Sequence, residues 1–96
     1  MSKYGYTYIL ASQPHGTLYI GVTSDLVKRM WQHREGVVEG FTKDHTVHSL
    51  VYFEQFEMIT DAIAYEKKLK NWHRDWKINL IERDNPKWDD LSNGLV

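Results

Sequence analysis

Apolar and aromatic residues recur along Tyr4 to Ala11 (YGYTYILA) and Thr17 to Gly21 (TLYIG), with Ser12-Gln13-Pro14-His15-Gly16 between them. Such runs, split by a Pro- and Gly-containing stretch, predict two antiparallel strands joined by a hairpin loop. Period-two alternation puts Tyr4, Tyr6, Tyr8 and Leu10 on one face of the first strand, and sets Leu18 and Ile20 opposite Tyr19 on the second. The pattern then changes period. Thr23, Ser24 and Asp25 are candidate N-caps, and Leu26, Val27, Met30 and Trp31 follow at helical spacing, which predicts an amphipathic helix to about Glu35. Gly36 to Thr46 has no period and reads as a long loop of functional interest. His48 to Phe56 (HSLVYFEQF) reads as a third strand. Thr60 is a candidate cap for a second helix running through AIAYEKKLKNW, with Asp61 in its first turn and Asn71 closing it. A third helix is expected over Asp75 to Arg83, with Trp76, Ile78, Leu80 and Ile81 inward, stopped by Asn85-Pro86. The tail is expected to dock by Trp88 and Leu91 and then fray.

The order ββαβαα predicts an α/β fold of the α+β type, a small antiparallel sheet covered by helices. At 96 residues there is room for one domain, residues 1–96, with a core over about 4–91 and a tail over 92–96. The absence of cysteine removes disulfides, thiolate zinc sites and thiol nucleophiles together, and fits a reducing compartment. No stretch approaches the ~20 apolar residues that span a bilayer, so a cytoplasmic location without a membrane partner is expected. A formal charge of −1 gives no global field to draw in nucleic acid, which moves attention to local charge.

Several positions could carry chemistry. On a wheel at about 100° per residue, Ala62, Ile63, Leu69 and His73 of the second helix cluster, and Glu66 falls among them. A carboxylate in an apolar stripe faces a cation, a donor or a metal, or lies at a cleft edge; a snorkelling or salt-bridged Glu is the plainer alternative. Arg29 and His33 form an i, i+4 pair on the border of the first helix's stripe, suited to gripping phosphate and moving a proton, or else simply solvated. Tyr8 and Tyr19 offer phenols on neighbouring strands, although strand aromatics ordinarily just pack. Lys67, Lys68, Lys70, Arg74, Lys77 and Arg83 hold six of the twelve Lys and Arg residues. Interleaved with Trp72 and Trp76, they make a candidate nucleic-acid face or an ordinary charged surface. The histidines make no zinc spacing, whereas a lone Glu suits hydrated Mg²⁺.

The order Tyr8, Tyr19-Ile20-Gly21, Arg29 with His33, then Glu66 on the helix after the third strand resembles a GIY-YIG nuclease domain. The likeness extends through YIGVTSDLVKRMWQH, GFT-K, LVYFE, A-YEKKLKNW and NP-W-DL, nearly the whole chain, and is greatest to the small stand-alone branch. The resemblance implies a compact fold on a three-stranded antiparallel sheet and an endonuclease that hydrolyses phosphodiesters of nucleic acid, DNA first, in repair or recombination. It implies one divalent cation, Mg²⁺ or Mn²⁺, bound by Glu66. Tyr8, Tyr19, Arg29, His33 and Glu66 would be the catalytic set lining one cleft, and Asn79 or Asn85 would be the accompanying asparagine. Lys67, Lys68, Lys70, Arg74 and Lys77 would contact nucleic acid. The first half-motif departs from the pattern, reading Tyr6-Thr7-Tyr8, and a protein partner for targeting, as monomer or homodimer, is expected. Two rival readings are a non-catalytic nucleic-acid-binding module and a protein-interaction domain using Trp31, Trp72, Trp76 and Trp88.

Overall fold

The computed structural model describes residues 4–35 and 47–95. The loop expected over Gly36–Thr46, including the GFT-K motif and Lys43 to His45, lies outside the described residues. Strand β1 (Gly5–Ala11) is central, flanked by β2 (Leu18–Thr23) and β3 (Ser49–Phe56) in the order β2-β1-β3, with both pairings antiparallel. Helices α1 (Leu26–Glu35), α2 (Ile59–Lys70) and α3 (Arg74–Asp84) follow as ββαβαα, and a short 3-10 turn (Leu91–Gly94) comes last. The expected three-stranded α+β architecture is the observed one.

Because β1 is central and covered on both sides, consecutive residues enter different cores. Tyr8 and Leu10 pack with Leu26, Met30, Val47 and Leu50 on the α1 side. Ile9 and Ala11 pack with Ile20, Val51, Leu69, Leu80 and Ile81 on the α2–α3 side. A bulge in β3 between the partners of Ile9 and Leu10 keeps both sets of side chains pointing inward. The Thr7 hydroxyl, buried between β1 and α2, donates to the Ala62 carbonyl at 2.7 Å. Gly5 lets α2 come this close: a Cβ there would sit 2.6 Å from the Ile59 Cα.

Four local expectations are corrected. In α1 the buried line is Leu26, Met30 and His33, spaced four and three, so Val27 and Trp31 point off it and are exposed, Trp31 by 55%. His33 is therefore inside the stripe. Helix α2 starts at Ile59 with Met58 as its N-cap and no side-chain cap, so Thr60 already lies in its first turn; the Met58 carbonyl accepts from the Asp61 and Ala62 amides. His73 leaves the α2 stripe because the helix has closed on Asn71 by then, and it becomes the N-cap residue of α3. Trp76 is 55% exposed, because at the α2–α3 corner its ring packs edge-on against Trp72 and His73, leaving Leu80 and Ile81 to face the sheet.

Asp25 is the residue that caps α1, its carboxylate accepting from the Lys28 amide at 3.1 Å. The tail docks by Trp88 and Leu91 as expected, the Trp88 indole donating to Glu82 and Leu91 packing against the α1-side core, but it does not fray directly after Leu91, where the 3-10 turn runs on to Gly94. The Asp90 carboxylate accepts from the Leu50 amide and from the Ser92 amide and hydroxyl, which ties the 3-10 turn to β3.

Candidate functional site

The site begins with one register fact: Tyr8 of β1 stands directly opposite Gly21 of β2. Paired residues of antiparallel strands project to the same face, so the Tyr8 ring crosses the place where a side chain at position 21 would be. A Cβ on Gly21 would lie 2.5 Å from the Tyr8 hydroxyl oxygen. The glycine therefore leaves the space into which the phenol is laid. Tyr19, two residues earlier and on the same face, puts its ring centroid 6.4 Å from that of Tyr8. From α1, His33 closes the group with its ring 5.9 Å from Tyr8 and 5.8 Å from Tyr19, and its Nε2 is 3.1 Å from the Tyr8 hydroxyl.

Burial decides the charge state of this group. Tyr8 is 1% exposed. Desolvation, with smaller contributions from Tyr19 and the Glu66 charge, holds its phenol well above the usual range, against a lowering by Arg29. His33 is pushed down to about 4, first by burial and then by the charges of Arg29 and His48. At pH 7 the Tyr8–His33 pair is thus neutral, and the ring tautomer sets which atom donates.

Arg29 lies one helical turn before His33, half-buried, and its charge reaches both members of the pair. Glu66 comes from α2, the helix that packs on the other side of the sheet, yet its charge still acts on Tyr8. Its side chain is only 15% exposed, and its carboxylate pairs with the Lys70 ammonium at 3.1 Å, the i, i+4 partner on the same helix. The salt-bridged alternative for Glu66 is therefore realised alongside its electrostatic action on Tyr8. Among the described residues no three His, Cys, Asp or Glu side chains converge. A single carboxylate fits a hydrated Mg²⁺, which keeps several waters and takes one or two carboxylates with substrate phosphate oxygens.

The basic segment divides. Lys70 and Lys77 line an open groove of about 300 Å³ with Leu18, Tyr19 and Ile20, so this groove shares Tyr19 with the ring group. Lys67 is exposed, and Lys68 sits 5.9 Å from the Trp72 ring centre. Arg74 is different: its guanidinium donates to the carbonyls of His15 and Gly16, clamping the β1–β2 loop. Expected with its neighbours on a nucleic-acid face, it is thus also bonded across 58 and 59 positions to the hairpin. Asn85 is also committed elsewhere. Its amide donates to the carbonyls of Val51 and Asp89 and its oxygen accepts from the Asp89 amide, while Asn79 is exposed. Sequence reasoning missed His48, which is exposed before β3 and acts electrostatically on His33; no spacing rule joins positions brought together only by tertiary folding.

The family described as GIY-YIG catalytic domain matches residues 4–79. A UPF0213 protein of Haloquadratum walsbyi is 33% identical over 82 residues, covering 85% of this chain and 91% of its own. A UPF0213 protein of Clostridium perfringens is 37% identical over 76 residues, covering 79% and 81%. The solution NMR structure of a UPF0213 protein from Bacillus halodurans superposes with a TM-score of 0.57 at 25% identity, covering 91% of this chain and 92% of that one.

Proposed function

The chain belongs to the GIY-YIG catalytic domain family, among its small single-domain members, and on that premise we propose that it is an endonuclease hydrolysing phosphodiester bonds of nucleic acid, DNA first, with a divalent cation at Glu66. The observation that carries this reading is the buried Tyr8–His33 hydrogen bond, ringed by Tyr19 and set in the fields of Arg29 and Glu66.

Hydrolysis forms a bond from a water oxygen to phosphorus and breaks the ester bond in line with it, the attacking water giving up a proton to bulk water and the departing oxygen taking one from it, while negative charge grows on the non-bridging oxygens. Arg29 neutralises that charge. Tyr19, half-buried where the ring group meets the groove, receives the attacking water in a hydrogen bond and aims it. Tyr8 retains its proton because burial holds it there, so it is a positioning donor and not a resting base. His33, neutral at pH 7, fixes the Tyr8 hydroxyl. Glu66 would hold Mg²⁺ or Mn²⁺, which would supply positive charge at the phosphate. Lys67, Lys68, Lys70 and Lys77 add salt-sensitive contacts to the sugar-phosphate backbone.

The test is cleavage of labelled single-stranded, duplex, flap and branched DNA and RNA with Mg²⁺ or Mn²⁺ at low salt, beside Glu66→Ala. Cleavage by the parent and none by the variant is expected. Intact binding with no cleavage by either protein would replace the enzyme with a binding module. A second reading, a protein-interaction domain, draws on the exposed Trp31 beside a largely apolar groove with Val27, Met30 and Leu95. It expects self-association or partner capture indifferent to divalent cations.

A further inference from the structure

We infer that Lys70 is an exchange lysine: it holds Glu66 as a stand-in for the divalent cation and, once displaced, turns into the adjoining groove to bind a nucleotide phosphate together with Lys77. The inference rests on the assignment of Glu66 as the cation-binding carboxylate. Its starting point is the 3.1 Å contact between the Lys70 ammonium and the Glu66 carboxylate. A divalent cation arriving at that carboxylate meets a positive charge already in contact with it, and like charges at such a distance repel. One of the two must leave. The two side chains differ in freedom, since Glu66 is 15% exposed and Lys70 54%. A long, half-exposed lysine reorients at little cost, whereas the enclosed carboxylate stays.

The same lysine has a second place to go. It lines the groove of about 300 Å³ with Lys77, over Leu18, Tyr19 and Ile20. An apolar floor with two ammonium groups suits a nucleotide, the sugar or base edge lying on the strand and the phosphate between the lysines. Tyr19 belongs both to this groove and to the Tyr8–His33 ring group, so the phosphate bound there neighbours the one to be cleaved. Freed from Glu66, Lys70 gives its full charge to that phosphate. Cation and nucleotide binding are then positively coupled through one side chain, and the coupling is reciprocal.

The experiment uses the whole chain and two probes that require no turnover. Mn²⁺ alone is titrated by the paramagnetic signal of the free ion, and deoxythymidine carrying a phosphate on each sugar hydroxyl, which has no diester to hydrolyse, is titrated by calorimetry with and without Mn²⁺. Lys70→Met is expected to bind Mn²⁺ about two- to fivefold more tightly than the parent, because an internal competitor is gone. It is also expected to bind the nucleoside bisphosphate more weakly in Mn²⁺, with a smaller gain from Mn²⁺ than the parent shows. Lys87→Met, which removes the same charge from an exposed site after α3, controls for net charge and should leave the Mn²⁺ affinity unchanged. If Lys70→Met binds Mn²⁺ no more tightly while Glu66→Gln loses it, the exchange is wrong and Glu66 still holds the cation. If Glu66→Gln binds Mn²⁺ as the parent does, the cation assignment falls and the exchange with it.

Discussion

The two faces of the sheet share a strand and differ in chemistry. Toward α2 and α3, β1 sends Ile9 and Ala11 into a mainly aliphatic core with Val51, Leu69 and Ile81. Toward α1 it sends Tyr8, whose buried hydroxyl meets the buried imidazole of His33 and lies in the field of Arg29. The first face is stabilised by area removed from water. The second encloses polar groups that must be satisfied by one another, and burial shifts both the Tyr8 phenol and the His33 imidazole away from their charged forms. On the proposed function, adjacent residues of one strand would serve stability and chemistry separately, and substitutions should separate them too.

The largest expected effect on stability lies on the aliphatic face. Leu69 is fully buried, so Leu69→Ala should lose about 3 kcal/mol by chemical denaturation, while turnover per folded molecule stays near that of the parent. Equal loss of turnover and stability would erase the contrast between the faces. On the other face, Gly21→Ala forces a methyl against the Tyr8 hydroxyl and should cost about 2 kcal/mol; it should also break the Tyr8–His33 bond, seen as a changed imidazole shift in NMR spectra. Here stability and chemistry fall together.

Acid sharpens the comparison. His33 titrates at about 4 when folded and near the usual 6.5 when unfolded. Between those values the unfolded chain binds a proton that the folded one refuses. The contribution is fully present above pH 6.5 and is lost as the pH falls to about 4, by up to about 2 kcal/mol. His33→Gln should flatten that part of a denaturation-against-pH curve, and Leu69→Ala should shift the curve without changing its slope. The smallest effect belongs to the hairpin clamp: Arg74→Met should cost about 1 kcal/mol and raise amide exchange at His15 to Thr17, with little change in nucleic-acid affinity.

Much of the aliphatic face could be read from the chain, because alternation in YGYTYILA and TLYIG and the Leu80-Ile81 pair report burial directly. The helices were legible in order but less so in orientation. Periodicity finds that α1 has an apolar side, but Val27 and Trp31 fit a stripe as well as Leu26 and Met30 do, and only packing on the sheet chooses between them. Trp76 departs from its helical periodicity for the same reason, since the corner made with Trp72 and His73 is a tertiary feature. At the candidate site, Tyr8, Tyr19, Arg29, His33 and Glu66 were found through family likeness more than through spacing. The role of Gly21 as space for Tyr8 and the Lys70 partner of Glu66 emerge from geometry, and the action of the His48 charge on His33 from the electrostatics of the folded chain. Arg74 was indistinguishable from its basic neighbours until the chain folded back onto the hairpin.

The division between the faces is tested most directly by the Mg²⁺-dependent cleavage rate of Arg29→Ala, measured per folded molecule on whichever labelled DNA the parent cuts. Arg29 is half-buried at the chemical face and belongs to neither core cluster, so the account predicts a melting temperature close to the parent's with cleavage reduced at least about 100-fold. A stable Arg29→Ala that cleaves at the parental rate would contradict it.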